Sequence, residues 1–279
     1  MEALAQVEGW PARRAAVAVT RADAELGSVG PRDEAFDWAS VTKPLTALAA
    51  LVAVEEGTIE LEQPAGPEGS TVRHLLSHAS GLPLDAGGPT GRPGHRRIYS
   101  NVGFEVLADT IAAAAGMSFA EYLGAAVLEP LGFSGTLEGS PASGYRGTLD
   151  DLAGLGRELL APRLIAPETL EEATTTAFPG LVGVLPGFGR MEPNDWGLGL
   201  ELRDAKSPHW TGRQNSPRTF GHFGRSGTFL WVDPEPGLAC ACLTDLPFGD
   251  WAKEAWPRLS DAVLTQAEGR RGEPGVPRA

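Results

Sequence analysis

The sequence predicts an α+β protein: an antiparallel sheet built from both chain ends, helices packed on it, and an all-helical lobe inserted between. Three observations carry this expectation. Short strand-like runs, A15-A-V-A-V-T20 and E25-L-G-S-V29, open the chain. Strand signals return only after about residue 195, where T219-F-G-H-F223 precedes a hairpin of T228-F-L-W-V232 and L238-A-C-A-C-L-T244 around D233-P-E-P-G237. Everything between carries helix punctuation. Residues 1–60 and 195–267 are thus expected in a sheet lobe and 61–194 in a mostly helical lobe, with the active site in the cleft between them. The Gly/Pro/Arg-rich tail, 268–279, is expected to be disordered.

The individual elements follow from local signals. Leu45 to Val54 is apolar all round and predicts a buried helix, with Pro44 in its first turn and Gly57 at its end. S70-T-V-R-H-L-L-S-H78 predicts a short helix stopped by Gly81, and V102 to A115 a longer one stopped by Gly116. S118-F-A-E121 and T148-L-D-D151 are helix-starting boxes, the second placed before a helix over Leu152 to Leu160. Pro167 to Ala173 predicts a further short helix. Asp250 to Ala267 closes the fold, with Trp251, Trp256, Leu259 and Val263 on its apolar side and Pro257 as a kink or the true start.

Composition excludes several classes. A chain of 279 residues with 42% hydrophobic and 21% charged residues is an ordinary globular sequence. Its net charge of -13 argues against nucleic acid or an anionic membrane as partner. The longest apolar run is too short for a membrane span, and no basic region followed by an apolar stretch opens the chain, so a soluble, cytoplasmic protein is expected. Cys240 and Cys242 are expected as small core residues. His74 and His78 share an i, i+4 spacing, but Leu75 follows His74 where H-E-x-x-H needs an acid, so no metal is expected. No P-loop, G-x-G-x-x-G or G-x-S-x-G is present; no cofactor and no α/β-hydrolase elbow are expected.

One residue breaks the pattern. Lys43, one of only three lysines, stands at the head of the buried helix, and no other charge lies between Asp37 and Glu55. Ser40 and Lys43, at i and i+3, share a helix face. A lysine among apolar neighbours loses proton affinity and can take the proton that keeps a serine unreactive. Two further groups fit such a site. R97-I-Y-S-N101 offers a phenol and an amide from a loop before a helix, and G221-H-F-G-R-S-G227 sets His222 among small residues on a strand.

With these residues, the chain resembles the serine β-lactamase and penicillin-binding-protein superfamily, in the branch of class C β-lactamases, related esterases and D-aminopeptidases. S40-V-T-K43 matches S-x-x-K, Y99-S-N101 matches Y-x-N, and H222-F-G224 stands where K-T-G or H-x-G belongs. H74-L-L-S-H-A-S-G-L82, E129-P-L-G-F133 and W196-G-L-G199 look like further hallmarks, in the family's order. The resemblance implies a β-lactamase/transpeptidase-like fold and an acyl-enzyme on Ser40. Lys43 and Tyr99 would share the general-base role, with the Tyr99 pKa lowered beside the lysine. Asn101 would orient Lys43 and substrate. The backbone N–H groups of Ser40 and Arg225 would form the oxyanion hole, Gly224 would line the substrate, and His222 would assist beside the serine.

Departures narrow this. Histidine replaces the third motif's lysine and Phe223 its hydroxyl residue, which favours small esters or amides over β-lactams. An esterase is the first expectation, an amidase, D-amino-acid peptidase or weak β-lactamase the alternative, and a non-catalytic binding protein the reading of another class. Arg96 or Arg97 is expected to bind a substrate carboxylate at the rim, and Trp210, in R203 to R218, to form an apolar wall opposite.

Overall fold

The computed structural model describes residues 1–271. A 3-10 helix, Glu2–Gly9, leads into β1 (Ala15–Thr20) and β2 (Glu25–Val29). β3 (Phe36–Asp37), β4 (Thr136–Leu137) and β5 (Tyr145–Gly147) form a small sheet, and β6 (Gly183–Leu185) pairs with β7 (Gly189–Met191) as a separate hairpin. β8 (Glu201–Leu202), β9 (Phe220–Gly224), β10 (Thr228–Asp233) and β11 (Leu238–Thr244) join the first two strands in one antiparallel sheet of order β2-β1-β11-β10-β9-β8. Both chain ends therefore build it, as the strand signals predict.

The period-2 alternation of the central strands assigns each residue to one of two cores. Ala16, Ala18, Leu230, Val232, Ala239 and Ala241 face the core shared with α1 (Thr42–Glu55), α2 (Val72–Leu76), α3 (Asn101–Ala115) and their neighbours. Val17, Val19, Phe229, Trp231, Cys240 and Cys242 face the other, where Trp256, Leu259 and Val263 of the closing helix pack. The two cysteines are free, fully buried and on that same face.

Caps fix the helical segment. α3 starts on Ser100, whose Oγ accepts from Gly103 N at 2.8 Å, and ends on Gly116 in the left-handed region. α4 (Phe119–Leu123) opens with the Ser118/Glu121 box; a π-helical turn and α5 (Glu129–Leu131) follow. α6 (Leu149–Glu158) begins three residues before the expected Leu152, because Thr148 and Asp151 form the reciprocal cap themselves. Asp151 also accepts from Ser134 N and Gly135 N, tying the end of the E129–F133 segment to this helix. α7 (Pro167–Ala173) has the expected bounds.

α8 (Asp250–Arg271) contains Pro257 within it and continues past Ala267. The expected disordered tail is thus helical at its first residues, and the remainder, 272–279, lies outside the described residues. Among the described residues no single helix is long and apolar enough to cross a membrane; one pair meets that test only together, across an 83° bend.

Candidate active site

Ser40 lies in a 3-10 turn (Ala39–Val41) that runs into α1, where every residue from Thr42 to Ala53 is buried. Ala39 just before it has φ +46°, a strained conformation for a residue with a side chain. The turn between β9 and β10 clamps this segment: Thr228 Oγ1 donates to Trp38 O at 2.9 Å and Ser226 Oγ to Asp37 O at 2.7 Å. Gly224 makes the clamp possible, since a Cβ there would sit 2.5 Å from Trp38 O.

Lys43 is fully buried, and Nζ faces three oxygens: Asn101 Oδ1 at 2.7 Å, Ala142 O at 3.0 Å and Ser40 Oγ at 3.3 Å. It also lies 4.7 Å from the centre of the Tyr99 ring. Burial drives its pKa down to about 7, against the opposing charges of Asp85 and Glu105. Asn101 Nδ2 donates to Asp85 Oδ1 at 3.1 Å, which turns its amide oxygen toward the lysine.

The phenol of Tyr99 lies 3.3 Å from His222 Nε2. Burial pushes its pKa well up, against the lowering influence of Ser40, which corrects the expectation of a lowered value. His78 packs against the Tyr99 ring at 4.5 Å, tilted by 42°, and accepts from Ser100 N at 3.1 Å, holding the Y99-S-N101 loop. His78 is thus a support of the site and not half of a helical metal pair: α2 ends at Leu76, and His78 turns out of it with φ +57°. Among the described residues no cluster of three or more His, Cys, Asp or Glu is arranged to hold a metal ion.

His222 is neutral: burial and the neighbouring Lys43 charge take its pKa to about 3. Its Nδ1 lies 2.7 Å from Phe223 O, which can only accept, so Nδ1 carries the proton and Nε2 accepts from Tyr99. A pocket of about 250 Å³ is lined by Ser40, Tyr99, His222 and Arg225 together with the apolar Trp196, Phe223 and Phe248.

Two expected rim residues are elsewhere. Arg97 is buried, and its guanidinium donates to the carbonyls of Asn194, Ser77, Ala177 and Phe178. Four of its five N–H donors are spent inside the protein. Trp210 is no wall of the cleft but a core residue, packed against Phe223 and Phe229, with Nε1 donating to Glu201 at 2.9 Å. Glu201 itself also pairs with Lys206 and His209. Burial alone would raise its pKa, yet the Lys206 charge and the hydrogen bonds from Lys206 and His209 hold it at about 2. The sequence offered one signal of this cluster, a second lysine in a lysine-poor chain. Arg96 alone remains exposed, beside the pocket.

The hallmark segments meet around this centre. Gly199 N donates to Leu76 O at 2.9 Å, and Trp196 packs edge-on against His78 and tilted against Tyr99. This sheet, with a buried serine–lysine helix under it, is the architecture of the β-lactamase-fold serine hydrolases. A profile of the β-lactamase family matches residues 9–264, and the chain belongs to that family. It is similar to a β-lactamase of Mycobacterium bovis, with 52% identity, 95% of this chain and 99% of that one covered, and a TM-score of 0.94. EstCE1, a hydrolase with promiscuous acyltransferase activity, shares the fold at TM-score 0.77, with 18% identity over 94% of this chain and 98% of that chain. Penicillin-binding protein 4* of Bacillus subtilis is 32% identical over 134 residues, 36% of this chain, and the match spans only 30% of that protein's length.

Proposed function

We propose that this protein hydrolyses small esters, and more slowly amides, through an acyl-enzyme on Ser40. The observation that carries the reading is the trio of oxygens around Lys43 Nζ. A neutral amine has two hydrogens and one lone pair. Asn101 Oδ1 and Ala142 O can only accept, so they take the hydrogens. The lone pair is left for Ser40, the one partner with a proton to give. With a pKa of about 7, half of the lysine is in this form at neutral pH.

The steps follow from the groups present. Lys43 takes the serine proton, and Oγ bonds to the substrate carbonyl carbon. The negative oxygen formed there is met by the N–H groups of Ser40 and Arg225. As the carbonyl reforms, Tyr99 gives its proton to the departing oxygen or nitrogen and is resupplied from Lys43. Its high pKa suits donation, not service as a standing phenolate. Asn101 and Asp85 orient the lysine, and His222 fixes the phenol. Water, giving a proton to Lys43, then attacks the acyl carbon; the bond to Ser40 Oγ breaks, Oγ takes the proton back from Lys43 and the acid leaves.

Neutral His222 and apolar Phe223 supply neither cation nor hydroxyl to a β-lactam carboxylate, which supports esters over β-lactams. The likeness to the M. bovis β-lactamase favours a second reading, penicillin hydrolysis, by the same serine. Steady-state turnover of a nitrophenyl butyrate and of benzylpenicillin separates them: a kcat/KM at least about 10²-fold higher for the ester is expected, and the reverse order overturns the preference.

A further inference from the structure

A second groove, of about 630 Å³, adjoins the Ser40 pocket, with which it shares Leu84, Tyr99 and Pro186. One wall is the segment leading into Tyr99 and the other the β6–β7 hairpin. The two are joined by main chain: Arg97 N donates to Val182 O at 2.9 Å, and Arg97 bridges in parallel to Gly183. A Cβ at Gly183 would stand 2.6 Å from Arg97 O, so a residue without one is needed for this approach.

The chemistry of the groove differs from the surface around it. Among the described residues three large apolar side chains are exposed, Leu84 at 48%, Met117 at 44% and Val184 at 59%, and two of them line this groove. Apolar side chains exposed together beside the Ser40 pocket suit contact with an apolar ligand. Three arginines also line it and no acidic residue does, in a chain of net charge -13; the Arg97 guanidinium is turned onto buried carbonyls, which leaves Arg96 and Arg190 to face a ligand. Arg96 spends one of its donors on Thr90 O at 3.0 Å. Arg190 pairs with Glu192 at 3.0 Å, and both side chains are about two-thirds exposed, a pairing that an incoming anion displaces at little cost.

We propose that this groove holds the leaving-group arm of the substrate: an aliphatic chain of several carbons ending in a carboxylate or similar anion, carried from Tyr99 to Arg96 and Arg190. The assignment rests on the hydrolase reading above, in which Tyr99 protonates the departing atom, so the arm that departs begins beside this groove. The anion is met at these two arginines and not at His222.

The test compares butyrate esters of ω-hydroxyhexanoate and of ω-hydroxyhexanamide, which differ only in the terminal charge. Wild type is expected to show a KM about fivefold lower for the carboxylate. That ratio should shrink toward one in 0.5 M salt and in an Arg96→Ala/Arg190→Ala double variant. Equal KM values in wild type, or a preference that survives the double variant, overturns the proposal. Calorimetry of free ω-hydroxyhexanoate and its amide with Ser40→Ala protein reads the groove without chemistry. Tighter binding of the acid, lost in Ser40→Ala/Arg96→Ala/Arg190→Ala, sustains the groove even if neither ester is turned over and the hydrolase reading falls; equal binding overturns it.

Discussion

Lys43 Nζ lies closer to Asn101 Oδ1, at 2.7 Å, than to Ser40 Oγ, at 3.3 Å. The amide therefore sets where the amine points, and Asp85, bonded to the other end of that amide, sets the amide. Substituting Asn101→Asp places a negative charge against the amine and favours its protonated form. For a neutral ester, kcat/KM is expected to rise with pH through about 7 in wild type, as Lys43 loses its proton. In Asn101→Asp the limb should move to higher pH by a unit or more. A pH–rate profile with no limb between 6 and 8 would speak against Lys43 as the base.

Arg96 and Arg97 are neighbours in sequence with opposite duties. Arg97→Ala strands three buried carbonyls and one part-buried one and should cost about 3–5 kcal/mol in urea unfolding. Arg96 is exposed, and Arg96→Ala should change stability by less than about 0.5 kcal/mol. Equal destabilisation of the two variants contradicts the placement.

Phe223 packs against Phe188, Trp210, Phe248 and Trp256 while lining the pocket. Phe223→Ala is expected to destabilise by about 3–5 kcal/mol. The space it vacates opens into the pocket, so the preferred acyl chain should lengthen. Kinetics on acetate through octanoate esters, with the unfolding midpoint alongside, check both effects.

Acid should unfold this protein through its histidines. Burial lowers the pKa values of His78, His209 and His222, the last to about 3. Unfolded chains bind these protons near pH 6.5 and the folded protein does not. The stability is therefore complete above about 6.5 and is lost as pH falls toward 3, at up to ~1.4 kcal/mol per pH unit for each histidine. Glu201, held at about 2, adds a loss of the same sign from about pH 4.5 downward. Urea midpoints between pH 7.5 and 4.5 read the slope, and His78→Phe should reduce it.

What the sequence revealed of this fold was mostly local. The Ser118 and Thr148 boxes, the glycine after α3 and the alternation of β10 and β11 are decided within a few residues, and they stand where local rules put them. Ser40 and Lys43 were legible for the same reason, sharing one helix turn in an otherwise uncharged stretch. Arg97, Trp210 and Tyr99 were misjudged because their partners are distant. Arg97 is spent on carbonyls 20 to 97 residues away. Trp210 turns inward because Glu201 is buried beside it. Tyr99 is made a weak acid by burial that no neighbouring residue announces. Asp85, in a loop without any motif, carried no signal at all.

The central claim is that Ser40 is an activated nucleophile. Intact mass after brief exposure to a fluorophosphonate, for wild type and for Ser40→Ala, tests it most directly. One adduct on wild type and none on folded Ser40→Ala is the predicted result. An unmodified wild type, or an adduct that persists without Ser40, contradicts the account.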